Sequence, residues 1–194
     1  EELPFAGHPT VGTALVLAWT GAVDAGNGAE IVFGEGVGPV PVRIMAENGR
    51  AVRAQLTAAR GPELGPEPPA ITAIAEMLSL APEDISGGDD HPGNASAGVP
   101  FLFVPLTDLD ALARAQLDIG EWKRTLADAW APHPFLFCRT GPRELRARMF
   151  APAMNIVEDP ATGGAVAALA GWLADRSDTR DGGEQWVINQ GVEM

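Results

Sequence analysis

The sequence predicts an α+β chain built as two similar halves, each a set of strands wrapped around one buried helix. Three observations carry that prediction. Near the start, Leu3-Pro4-Phe5-Ala6-Gly7-His8-Pro9-Thr10-Val11-Gly12-Thr13 runs straight into Ala14-Leu15-Val16-Leu17-Ala18-Trp19, a strand that ends on a helix start. Near the other end, Asn155-Ile156-Val157-Glu158-Asp159-Pro160-Ala161-Thr162-Gly163-Gly164-Ala165 repeats the plan and continues into an apolar run as far as Leu173. Laid on each other, the two stretches match His8 with Asp159, Pro9 with Pro160, Gly12 with Gly163 and Ala14 with Ala165. Between them lie short alternating runs set off by turn residues.

At the first helix start, Pro9 suits the first helical position, where a missing N–H costs nothing, and His8 then falls at the cap. Gly12 and Thr13 leave little bulk around the first turn, so its unpaired N–H groups can face a small anion. The same argument applies to 162–165. Both helices are apolar nearly all the way round, which predicts enclosure. Neither reaches the roughly 20 apolar residues that cross a bilayer.

The first helix should end near Thr20-Gly21, with a strand at Glu30-Ile31-Val32-Phe33. Residues 39–47 and 50–57 alternate around Asn48-Gly49, a strong hairpin signal. After the Pro-rich stretch 61–69, residues 71–78 have helical spacing and predict a surface helix. Residues 87–94 are turn chemistry and mark the domain boundary, giving a first domain at 1–92 and a second at 93–194. In the second, Phe101-Leu102-Phe103-Val104, 134–138 and 145–150 predict strands, 110–115 and 121–129 helices, and 185–188 a last strand. The segment 177–183 is polar.

Composition narrows the function. The net charge of −13, from 26 Asp and Glu against 13 Lys and Arg, argues against nucleic acid as a partner, because phosphate contacts need clustered cations. One cysteine allows no internal disulfide and fits a cytoplasmic location. Cys138 lies in an apolar run and reads as a packed strand residue. His91 and His133 sit beside prolines in expected loops with no partner at ligand spacing, so no metal site is expected. The run Thr162-Gly163-Gly164 lacks the lysine of a phosphate loop, and no nucleotide cofactor is expected. Alone, His8 or Asp159 would be an ordinary cap. At matching positions they read as a site.

Four stretches, Phe5-Ala6-Gly7-His8-Pro9-Thr10, Ser96-Ala97-Gly98-Val99-Pro100, Glu158-Asp159-Pro160-Ala161-Thr162-Gly163 and Gln190-Gly191-Val192-Glu193-Met194, resemble in order the signatures of the PhzF-like phenazine-biosynthesis isomerases. The resemblance implies the diaminopimelate-epimerase-like fold, with two pseudo-symmetric domains and an active site in the cleft between them. Cysteines of the epimerases proper are replaced here by His8 and Asp159, which excludes two-thiol racemisation. It implies His8 and Asp159 as catalytic residues, with Gly7, His8, Thr10, Asp159, Thr162, Gly163 and Gly164 binding a small carboxylate. It also implies a homodimer, no cofactor and no membrane partner. The family's catalytic glutamate and its outer strands have no counterpart within 1–194, so the chain reads as an internal portion lacking strands at both ends. Gly164 stands where relatives often have serine, and Asn155 where glycine is usual. The reaction expected is a proton shift on a small carboxylate metabolite. The alternative is a non-catalytic anion-binding or assembly protein that keeps the fold.

Overall fold

The computed structural model describes residues 5–177 and 182–194. The expected strand residues Leu3 and Pro4, and most of the polar segment 177–183, lie outside the described residues. Backbone proximity divides the chain into two compact units, Glu1–Gly61 with Ala97–Val99, and Pro62–Ser96 with Pro100–Met194.

The first unit is one helix on a small sheet. Helix α1 (His8–Trp19) precedes strands β1 (Ala29–Glu35), β2 (Gly38–Glu47) and β3 (Arg50–Leu56), which form an antiparallel sheet in that order. The hairpin expected at Asn48-Gly49 forms, with φ of 51° and 76°, the left-handed pair that matches strand twist. Val40, Val42 and Ile44 alternate onto one face and are buried. Helix α1 packs on β2 and β3, and the Trp19 indole donates to the Ala51 carbonyl at 2.8 Å. Only Thr10 and Ala14 of α1 are buried, while Val16 and Trp19 stay 51% and 55% exposed. The enclosure expected for this helix is therefore not provided by its own unit, because three strands cover one side of a helix.

The second unit contains β4 (Glu63–Leu64), α2 (Ile71–Met77), β5 (Gly93–Ser96), β6 (Pro100–Pro105), α3 (Leu109–Arg114), α4 (Ile119–Thr125), β7 (His133–Gly141), β8 (Glu144–Ala151), β9 (Ile156–Asp159), α5 (Gly163–Asp175) and β10 (Val187–Gln190). Its sheet runs β10-β8-β7-β6-β5-β4, with β9 also paired to β8. The β6–β7 pair is parallel, and α3 and α4 fill the crossover that such a pair requires. Alternation sorts the central strands onto two faces. Leu102, Val104, Leu136, Cys138 and Phe150 join Ile74, Met77, Leu78, Leu112, Trp122 and Leu126 in one core on the α2–α4 side. On the other side Phe137 meets Trp172 of α5 edge-on at 5.1 Å, and Phe103 meets Phe135 at 5.8 Å. Burial on both faces explains why β6 and β7 read as unbroken apolar runs.

The compact units change over at Gly61/Pro62, ahead of the 92/93 boundary expected between domains, and β4, paired with β5, ties the start of 62–92 to the second sheet. His133 is the first residue of β7 and buried, where a loop was expected, and Cys138 is the packed strand residue expected of it.

Candidate active site

In the second unit, two strand ends define the geometry. Along one edge of β8, β10 runs parallel and ends with Gln190 opposite Ala147, while β9 runs antiparallel and ends with Asp159 opposite Met149. The two strands meet end to end beside Arg148. Because paired residues share a face, Asp159 and Gln190 project with Ala147 and Met149, opposite to Arg148.

Asp159 is not the helix cap that the sequence suggested. Helix α5 begins at Gly163 with Thr162 at its N-cap, and Asp159 closes β9. Ordinary aspartate caps occur elsewhere in the chain, where Asp108 accepts from the Ala111 N–H at 2.8 Å and Asp118 from the Gly120 N–H at 2.7 Å. Asp159 accepts instead from the Thr162 hydroxyl, Oγ1 to Oδ2, at 2.6 Å. The Gln190 amide nitrogen donates to that hydroxyl at 2.8 Å and to the Asp159 carbonyl at 2.7 Å, and its oxygen accepts the Thr162 N–H at 3.1 Å. Asp159 Oδ1 accepts no hydrogen bond among the described residues. Of the N–H groups at 162–165 expected to face an anion, that of Thr162 is taken by Gln190. Those of Gly163, Gly164 and Ala165 have no acceptor within the helix.

On the opposite face Arg148 secures β9. Its guanidinium meets Glu158 in two parallel bonds of 2.8 and 2.9 Å, and donates to the carbonyls of Leu112 and Ala115 at the end of α3 at 2.9 and 2.8 Å. The bond to Glu158 holds the Arg148 pKa above its usual value, against burial that lowers it. The charge at the C-terminus of α3 also complements the helix dipole. Asn155, before β9, has φ 58° and ψ 28°, a left-handed conformation in which asparagine and glycine are the favoured residues.

In the first unit, helix α1 begins one residue earlier than expected. Gly7 is the N-cap, His8 the first helical residue and Pro9 the second. His8 is exposed, whereas Gly7 is buried. The Glu35 carboxylate, at the end of β1, accepts from the Ala6 N–H at 2.9 Å and from the Thr10 hydroxyl at 2.6 Å. The Thr10 hydroxyl also lies 2.6 Å from the Ala6 carbonyl. Thr10 is thus engaged in holding the helix start and is 6% exposed. The Val11 N–H closes onto the Gly7 carbonyl, so only Thr10 within 10–12 keeps an N–H outside the helical ladder. The protein's own carboxylate thus stands beside this helix start.

Asp159, Thr162, Gly163 and Gly164 therefore gather in one unit, and Gly7, His8 and Thr10 in the other. Sequence reasoning passed over Gln190 and Glu35 as site-building residues. Gln190 stood in a quoted motif, but only tertiary pairing discloses its partners. Among the described residues no three His, Cys, Asp or Glu side chains converge to hold a metal ion, and no helix is long and apolar enough to cross a membrane. His91 lies in a turn, within 3.0 Å of the Gly88 carbonyl.

A family model described as phenazine biosynthesis-like protein matches residues 1–194. An uncharacterized isomerase of Mesorhizobium japonicum is 38% identical over the whole of this chain and 65% of its own length. A trans-2,3-dihydro-3-hydroxyanthranilate isomerase of Pseudomonas aeruginosa is 33% identical, again over the whole chain and 63% of its length. The chain thus spans just under two thirds of these curated relatives. Among solved structures, a PhzF-family phenazine biosynthesis protein of Bacillus anthracis superposes with a TM-score of 0.79 at 21% identity, covering 98% of this chain and 64% of the other. A predicted epimerase of Pseudomonas aeruginosa gives 0.75 at 30% identity, with 98% and 64% covered. A probable proline racemase from Agrobacterium radiobacter shares the fold at a TM-score of 0.60 and 12% identity.

Proposed function

The chain belongs to the phenazine biosynthesis-like (PhzF) family and has its diaminopimelate-epimerase-like fold, and from that premise we propose that the intact protein is an isomerase that moves a proton on a small carboxylate metabolite without a cofactor. The observation that carries the reading is the Asp159 carboxylate, fixed through one oxygen by Thr162 and unengaged at the other, immediately before the start of α5. The first-turn N–H groups of Gly163, Gly164 and Ala165 suit the carboxylate of such a substrate. Gly164, buried in this first turn, brings no hydroxyl of the kind that a serine would add there. His8 and Asp159 orient and polarise the substrate, and an imidazole or carboxyl group handles the migrating proton.

The α1 start is the less suitable anion holder. Glu35 stands beside it with both carboxylate oxygens engaged, and of 10–12 only Thr10 keeps an N–H outside the helical ladder. Homodimerisation and a cytoplasmic setting belong to the same proposal by the family resemblance.

The test uses the intact protein in deuterated water with trans-2,3-dihydro-3-hydroxyanthranilate, the compound in the relatives' name, and a panel of small cyclic amino acids. Product should carry solvent deuterium at the migrating position. Asp159→Asn and His8→Ala should each slow turnover by about 10²-fold or more, the scale of a lost acid–base or polarising group. Turnover unchanged in both variants would remove these residues from the reaction.

A further inference from the structure

We propose that Gln190 is the positioning residue of the site: it acts on no substrate atom but sets the orientation of the Asp159 carboxylate through Thr162. This rests on the isomerase reading of Asp159. The amide is read at both ends. Its nitrogen meets two acceptors, the Asp159 carbonyl at 2.7 Å and Thr162 Oγ1 at 2.8 Å, and its oxygen meets one donor, the Thr162 N–H at 3.1 Å. Only a group with donors and an acceptor on one planar head satisfies that set. Because the Thr162 oxygen accepts the hydrogen bond from the Gln190 amide, the hydroxyl's own proton is directed at Asp159 Oδ2, 2.6 Å away. The chain of bonds runs one way, so the carboxylate has one preferred rotamer and its Oδ1 is left for a ligand.

The surroundings hold Gln190 itself in place. Its strand is paired to β8 from Val187 to Gln190. On either side, the Asn189 side chain donates to Glu144 at 3.0 Å and Arg146 bonds Glu193 at 3.2 Å. The next residue, Gly191, has φ 80°, and a Cβ there would lie 2.9 Å from the Pro160 carbonyl. A side chain at 191 would push the strand end away from the 159–162 loop, which is the contact that Gln190 needs.

A glutamate in place of Gln190 has the same shape and no donor. It would also face the Asp159 carbonyl and carboxylate with a like charge, so a neutral amide is the group the position calls for. A leucine removes all three bonds while keeping the bulk. Thr162→Val removes only the relay hydroxyl, and Thr162→Ser keeps it.

The experiment measures, in the intact protein, the three-bond NMR couplings that report χ1 of Asp159, together with kcat and KM in the deuterium assay. Wild type should show couplings of a single rotamer. Gln190→Leu and Thr162→Val should both average them and lower kcat about tenfold or more, with KM less affected, as small misplacements of reacting groups do. Thr162→Ser should restore both readings. In an Asp159→Asn background, Gln190→Leu should cost nothing further, because the group it positions is gone. Single-rotamer couplings in both variants would overturn the proposal, as would an equal loss from Gln190→Leu in the two backgrounds. Should Gln190→Leu fail to fold, Thr162→Val and its serine rescue decide the matter. Full turnover by Asp159→Asn, or none by wild type on any probe, would sink the isomerase reading instead, while the couplings still decide the clamp.

Discussion

The two helix starts share a sequence plan and are held by opposite chemistry. At α1 a strand-end carboxylate, Glu35, reaches the Ala6 N–H and the Thr10 hydroxyl and ties the helix start to β1. At α5 a strand-end amide, Gln190, ties down the loop ahead of the helix and brings no charge. Glu35 puts a negative charge ahead of α1, and ahead of α5 the charge is that of Asp159, which the Thr162 hydroxyl engages at one oxygen only. The two scaffolds are thus secured by different groups. The scaffolds also differ in depth. Helix α5 buries six residues, Trp172 and Leu169 among them, and α1 buries two.

That difference in depth sets the largest expected effects. Trp172→Ala removes a fully buried ring beside Phe137 and should cost about 3–5 kcal/mol in urea unfolding of the intact protein. Trp19→Ala, at a half-exposed position, loses mainly one hydrogen bond to Ala51 and should cost about 1 kcal/mol. Equal losses would show that α1 is as enclosed in the intact protein as α5 is here.

The next comparison concerns what secures each site. Arg148→Met leaves the partly buried Glu158 carboxylate and the buried Leu112 and Ala115 carbonyl contacts without their partner and should cost about 3 kcal/mol. Thr10→Val removes a hydroxyl from Glu35 and should cost about 1 kcal/mol, measured in the same way. Comparable values would mean that Glu35 binds its helix start as firmly as Arg148 binds β9.

The smallest effect concerns acid. Burial lowers the pKa of His133 to about 4, below the ordinary value of 6.5. The unfolded chain therefore takes up this proton first as pH falls. Stability is complete above pH 6.5, declines between about 6.5 and 4, and loses nothing further from this group below that. His133→Phe, beside Phe101, should abolish that part of the acid sensitivity in thermal melts at pH 7 and pH 5. Acid loss that survived His133→Phe would have to come from other groups.

Much of this was legible along the chain. The Asn48-Gly49 hairpin, the apolar strands around Phe101 and Phe135, the helix at Ile71–Met77 and the two helix starts follow from local rules of turn geometry, alternation and periodicity, which act over a few residues. The left-handed Asn155 likewise explains why a position usually held by glycine admits this residue. The assignment of Asp159 to a cap failed because Asp-Pro before a helix has the composition of a cap, and only the backbone path shows the helix beginning four residues later.

What the sequence by itself determined was therefore most of the elements, the two stretches that start α1 and α5, and the family. What only the tertiary structure decided was which side chains reach those positions: Glu35, 25 residues from Thr10, and Gln190, 28 residues from Thr162. Such contacts depend on strand register along β8, where β9 and β10 converge from distant parts of the chain. No local pattern fixes which strand ends will meet, because register is settled by how whole faces bury together.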